Sequence, residues 1–302
     1  MMNEMIRIDS ISSLHEFLGY DKPKHPLITC IELNKFKPGM VYQNRRFING
    51  FYTISLKNGE NFDIKYGRRY YDFSEGSMIF VAPEQLLTVD YDPGDSGSEG
   101  WMLCFHPDLI RKSSLGSKMD EYSFFSYAAS EALHLSEKEK EIVTRIVHIL
   151  IEEFSQNIDI YSSGLIVSNL EVLLNYAQRF YGRQFITRRT IHKDVVERFE
   201  QLLKESFTLH ILGENGIPSV KELAKEMGYS TNYLSDLLKK ETGKSTQEHI
   251  HYQIINHAKN LLSGTSEPIS NIAYKLGFEY PANFSKFFKS RTGLSPNQFR
   301  KC

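Results

Sequence analysis

Cysteine is scarce in this 302-residue chain: Cys30, Cys104 and Cys302 lie far apart and form no C-x-x-C pair. That excludes a disulfide framework and a zinc cluster, and predicts a reducing compartment, the cytoplasm. Long apolar runs are missing as well. Nowhere do ~18 uninterrupted apolar residues occur, so no segment is expected to cross a bilayer. The start, MMNEMIRIDSISSLHEF, has neither the basic beginning nor the apolar stretch of a secretory leader, and export is not expected. Neither sign of charge dominates, with 36 Lys and Arg against 37 Asp and Glu. From Ile191 to Cys302 the balance is 15 against 12, and before it 21 against 25. So mild a surplus permits a nucleic-acid partner for the C-terminal part without demanding one. Metal-ligand spacing is absent too: His15, His25, His106 and His134 are scattered, and no H-x-H pair precedes a carboxylate. No metal, cofactor or catalytic residue is therefore expected.

What the chain does hold falls into two halves of different period. From about Leu27 to Phe105 the runs ITCIEL, FYTISL, FDIKY, SMIFV, LLTVDY and WMLCF, rich in β-branched and aromatic residues, are separated by turn signals such as KNGE, SEGS and DPGDSGSEG. Many short strands without intervening helices predict a sandwich or small barrel. After His106-Pro107 the period becomes helical. Val143, Ile146, Val147, Leu150 and Phe154 recur at three- and four-residue spacing behind Ser136. From about Ser163 to Tyr181, Ile166, Leu170, Leu173, Ala177 and Phe180 form a second apolar seam. Such a seam serves either as a dimerisation stripe or as the face that packs on its own β domain. GRQFITRR, Gly182 to Arg189, is basic and aperiodic, and reads as the start of a linker over 182–192. Asp194 to Phe207 then resumes helical spacing through Val195, Phe199, Leu202, Leu203 and Phe207.

The C-terminal part repeats itself. Leu223-Ala224 and Gly228-Tyr229 correspond to Ile272-Ala273 and Gly277-Phe278 at an offset of 49. Leu234, Leu237, Leu238, Lys239, Thr242, Gly243 and Ser245 correspond to Phe284, Phe287, Phe288, Lys289, Thr292, Gly293 and Ser295 at an offset of 50. One inserted residue falls in the turn, where length variation is tolerated. Each copy is a short amphipathic helix, a glycine able to adopt the left-handed conformation, a few polar residues and a second helix, at about 219–241 and 269–291. That is the helix-turn-helix plan, twice. Ser230 is a good cap for the second helix of the first copy, whereas Tyr280 is a poor one before Pro281. Between the copies, Thr246 to Leu262 reads as one helix ~25 Å long, which suits two recognition helices one DNA turn, ~34 Å, apart.

On the second helix of each copy the apolar residues face inward, leaving Thr231, Asn232, Ser235 and Asp236, and Ala282, Asn283, Ser285 and Lys286, as candidate base readers. Asn232 suits adenine, Asp236 the N4 amine of cytosine, and Lys286 guanine. Lys239, Lys240, Lys289 and Arg291 are candidate phosphate contacts.

At Ala224 to Ser245 and Ile272 to Pro296 these residues resemble the DNA-binding domain of AraC/XylS-family transcription regulators, through A-x-x-x-G-Y-S-x-x-Y-L and I-A-x-x-x-G-F followed by F-S-K-x-F-K and G-x-S-P. The resemblance covers the last ~110 residues. It implies two helix-turn-helix units on a long helix, double-stranded DNA and RNA polymerase as partners, and activation as the sign of regulation. The family's arginine on the joining helix is replaced here by Ile254. Residues 1–181 resemble the family's cupin-like sensor domain through YDFSEGSMIFVAPEQ and GWMLCFHPDLI, which implies a jelly roll that takes a small effector. Tyr52, Tyr70, Trp101 and Phe105 are candidate pocket walls, with core packing as the alternative. The expectation is thus an α+β protein: a cupin-like jelly-roll β domain with trailing helices at about 136–181, then an all-α domain over 193–302. Its expected function is sequence-specific regulation of transcription, with a possible homodimer. The competing classes are a cupin metal enzyme carrying a DNA-binding module and a ligand-independent architectural binder.

Overall fold

The computed structural model describes residues 5–35, 42–58, 63–65, 76–91, 99–128, 131–187, 189–207 and 216–301. Two compact units divide the chain, Met1–Thr187 and Arg188–Cys302.

In the first unit, β1 (Met5–Ile8) and the capped helix α1 (Ile11–Phe17) precede β2 (Ile28–Glu32), β3 (Tyr42–Asn49), β4 (Tyr52–Asn58), β5 (Asp63–Lys65), β6 (Ser77–Val81), β7 (Leu86–Tyr91) and β8 (Glu99–Phe105). Two short helices, α2 (Pro107–Ile110) and α3 (Ser114–Lys118), and two 3-10 turns lead to β9 (Leu133–His134). The strands make two sheets, in the orders β1-β3-β7-β5 and β2-β8-β4-β6-β9. Only β1 with β3 is parallel among these pairs. The sequence runs named above coincide with β2, β4, β5, β6, β7 and β8. The strand β3, YQNRRFIN, escaped them because adjacent arginines break its apolar alternation. It is held by ladders on both sides, to β1 and to β7.

Period-two alternation sorts the second sheet into two faces. Ile31 and Cys104 share a core with Ile8, Phe47 and Phe51 and so point into the space between the sheets. The other face carries Ile54, Leu56, Met78, Phe80, Trp101, Leu103 and Phe105, all buried. It lies under α4 (Glu137–Ser155) and α5 (Ser162–Thr187) and a turn bearing Phe124 and Phe125. Phe80 meets Phe124 at 4.4 Å and Tyr181 at 6.1 Å, and the Trp101 indole donates to Thr144 Oγ1 on α4.

Two expectations change here. The seam of Ile166, Leu170, Leu173, Ala177 and Phe180 is buried within this unit, where α5 packs on α4, so it offers no stripe to a second copy. Residues 182–187, read as linker, continue α5 instead. Gln184, buried, accepts from the His134 amide at 2.8 Å and donates to the Ala132 carbonyl, while Arg183 donates to the His134 carbonyl and pairs with Glu139. The aperiodic polar residues are thus satisfied by tertiary partners, which keeps the helix going.

Among its described residues the second unit holds helices and connecting turns and no strand. α6 (Arg189–Ser206) buries Val195, Phe199 and Leu203. Then follow α7 (Val220–Met227), α8 (Thr231–Thr242), α9 (Thr246–Gly264), α10 (Ile269–Lys275), α11 (Pro281–Thr292) and α12 (Pro296–Arg300). No helix among the described residues is long and apolar enough to cross a membrane.

Candidate nucleic-acid interface

The two helix-turn-helix units are α7–α8 and α10–α11, and their local chemistry is nearly duplicate. Ser219 caps α7, with Glu222 accepting back from the Ser219 amide at 2.8 Å. That bond holds the Glu222 carboxyl below its ordinary pKa. The first helix of each unit is followed by a glycine at φ 81°, Gly228 in one and Gly277 in the other, a conformation that costs a side-chain-bearing residue about 1–2 kcal/mol. Ser230 then caps α8 through the Tyr233 amide, whereas Tyr280 gives α11 no side-chain cap and Pro281 at the first position carries the start. Both second helices stop at a left-handed glycine, Gly243 or Gly293, and the next helix starts from a serine cap, Ser245 or Ser295.

Inward, Leu234, Leu237, Leu238, Phe284 and Phe288 are buried. Outward, Asn232, Lys239 and Lys240 of α8 are exposed, as are Ala282, Asn283, Lys286, Lys289 and Arg291 of α11. Thr231, Ser235 and Asp236 are half-buried, and so is Ser285. Ser235 donates to the buried Thr246 hydroxyl at 3.0 Å, and Ser285 to the Pro281 carbonyl at 3.1 Å. Their donors are therefore committed, leaving lone pairs to offer a base edge.

The joining helix α9 touches both units with its first two turns. Thr246 holds Ser235, His249 Nε2 lies 2.7 Å from Thr242 Oγ1 at the end of α8, and His251 meets Phe287 and Arg291 of α11. Ile254, where the family resemblance puts an arginine, is buried in the core. Arginine there would bury a charge.

Against known proteins, a family model described as a helix-turn-helix domain matches residues 223–301. The lactose operon transcription activator of Staphylococcus xylosus is 28% identical over 239 residues, 78% of each chain. Residues 223–301 are a helix-turn-helix domain of the AraC type, and the chain is a DNA-binding transcription regulator. An HTH-type transcriptional regulator of Bacillus subtilis, YtdP, is 34% identical over 83 residues, which is 28% of the regulator but 11% of YtdP. Among solved structures, the C-terminal domain of the response regulator yesN from Fusobacterium nucleatum aligns with 35% of the regulator and 98% of its own length, at 27% identity and TM-score 0.32.

Sequence reasoning missed Thr246, His249 and His251 because nothing in a single helix shows which neighbour its polar face meets. Burial, and then the charge of Lys244, lowers the His249 pKa. Burial, and then Arg291, lowers that of His251. Glu248 is lowered chiefly by the Ser245 amide it accepts from, and lies within electrostatic reach of both Lys239 and Arg291. In the regulator's first unit, three candidate pocket walls sit on the helix-covered face of the second sheet. Phe105 and Trp101 are buried, and Tyr52 stacks on Phe105 at 5.0 Å. Trp101 and Phe105 are core packing there, and half-buried Tyr52 packs on Phe105 and Phe125 at their edge. Tyr70 lies outside the described residues.

Proposed function

We propose that the regulator reads double-stranded DNA by base sequence, with α8 and α11 in successive major-groove segments, and activates transcription under control of a small effector held by the first unit. The observation that carries this is the duplicated helix-turn-helix on one joining helix. Nineteen residues of α9 span ~28 Å, close to the ~34 Å of one DNA turn. In this reading Thr231, Asn232, Ser235, Asp236, Ala282, Asn283, Ser285 and Lys286 face bases, and Lys239, Lys240, Lys289 and Arg291 face phosphates. Activation, RNA polymerase as a partner and a cytoplasmic place are supported by the resemblance to activators such as that of the lactose operon.

A cupin-like jelly roll for the first unit is supported by its connections: from β2 to β8 every successive strand changes sheet. We place the effector between the sheets rather than at Tyr52, Trp101 and Phe105. Ser55 and Met102, direct partners on neighbouring strands, are part-exposed, although Met102 packs against the core between the sheets and Ile31, Thr53, Ile79 and Cys104 around them are buried. A part-exposed hydroxyl and thioether side by side on this face offer a small ligand both a polar and an apolar contact.

The test is selection of random duplex DNA by the full chain at moderate salt. The expected motif has two short blocks about 10 bp apart. Asp236→Ala relaxes preference in one block and Lys286→Ala in the other, each by about 1–3 kcal/mol at one base pair. Retention that falls alike for all sequences as salt rises would replace the base-reading proposal with an architectural role.

A further inference from the structure

The second recognition helix is tied to α9 by one specific contact. Arg291, exposed in the last turn of α11, places Nη2 2.9 Å from Nδ1 of His251. A guanidinium only donates, so Nδ1 must present its lone pair and the proton of the neutral ring sits on Nε2. The Gln247 side-chain nitrogen lies 2.8 Å from Nε2; with the ring proton on Nε2 the amide is the other way round, its oxygen accepting there. Edge-on contact with Phe287, 5.0 Å between centroids, keeps the imidazole in place. The charged groups that act on His251 are Arg291 of α11 and Glu248 of α9 itself. Burial and the Arg291 charge both disfavour a proton on this ring, in keeping with its accepting role.

Arg291's other donors make no hydrogen bond among the described residues. A surface arginine gives up rotamer freedom when it grips a phosphate, and one already anchored at a corner has given up much of it before DNA arrives. We propose that His251 is a positioning residue for DNA binding: its Nδ1 lone pair holds the Arg291 guanidinium ready for a backbone phosphate beside the second recognition helix, and a proton on that nitrogen releases it. The inference rests on the DNA-binding reading of α11. Its sign is distinctive. A histidine that gains charge near DNA ordinarily adds affinity, whereas here protonation sets donor against donor and cation against cation, and the preorganised contact is lost.

The experiment titrates the full chain against a duplex it has selected, at fixed salt, at about pH 7.5 and about pH 4.5, the lower value set below the ordinary imidazole range because the His251 pKa is lowered. His251→Asn runs alongside, because its Oδ1 takes the place of Nδ1 and accepts at both pH values; His251→Leu accepts at neither. Relative to His251→Asn, wild type is expected to lose about three- to tenfold in affinity at the lower pH, the scale of one net hydrogen bond. His251→Leu is expected to bind more weakly at the higher pH with a salt slope smaller by about 0.9, one phosphate fewer. Parallel pH profiles for wild type and His251→Asn overturn the role, even where His251→Leu melts too early to be informative. A stable His251→Leu with the full salt slope overturns it as well. If wild type retains no duplex at the higher pH, the DNA-binding reading falls and takes this inference with it.

Discussion

At the scale of single residues, the second unit depends on small polar groups that join its helices. Thr246, fully buried, receives the Ser235 hydroxyl across the angle between α8 and α9. Thr246→Val is expected to cost about 1 kcal/mol, the net worth of such a bond, read as a lower urea midpoint. Titration has a definite sign here. His25, His249 and His251 all take a proton less readily folded than unfolded, each first because of burial. The unfolded chain therefore binds more protons as pH falls through the ordinary imidazole value, about 6.5, and stability present above that value is lost below it. Urea melts at about pH 7.5 and about pH 5.5 are expected to show the loss, with His249→Gln reducing it. Glu222 and Glu248, held low by their capping bonds, extend the same direction into the acid range.

At the scale of elements, the two helix-turn-helix copies differ where their sequences do, and that difference can be exploited. Ser230 caps α8 but Tyr280 leaves α11 without a side-chain cap, so Tyr280→Ser is expected to stabilise the second unit by about 1 kcal/mol in thermal melts. The glycines separate strain from space. Gly293, at φ 79°, has nothing within 4 Å of an added Cβ, so Gly293→Ala is expected to cost only the backbone strain of about 1–2 kcal/mol. An added Cβ on Gly277, at φ 81°, would stand 2.9 Å from the backbone of Gly216 and Ile217. Gly277→Ala must therefore cost more than Gly293→Ala, and equal urea midpoints for the two would contradict that placement.

At the scale of the whole molecule, the chain is two units that each bury their own core, so two unfolding transitions are expected. The boundary follows α5, whose last turns are clamped to the segment before α4 by Tyr181, Arg183 and Gln184. Gln184→Leu leaves the His134 amide and the Ala132 carbonyl without their partner. The expected loss is about 2 kcal/mol or more, confined to the transition of the first unit in a calorimetric scan. A loss confined to the other transition would mean that the end of α5 belongs with the DNA-binding half.

The repeat, its glycines and caps, the apolar faces of α8 and α11 and most strands between Ile28 and Phe105 were all legible in the sequence, because each is written within a few residues by period, capping chemistry or backbone sterics. Tertiary structure alone decided which way those elements face. Tyr52, Trp101 and Phe105 turned toward α4 and its neighbours rather than toward the space between the sheets, since alternation divides two faces without saying which is covered. The α5 seam went to its own unit, and 182–187 stayed helical because His134 and Ala132, some 50 residues away, satisfy Gln184. Arg291 finds His251 across 40 residues. Contacts at such separations depend on how whole helices pack, and no local period records them.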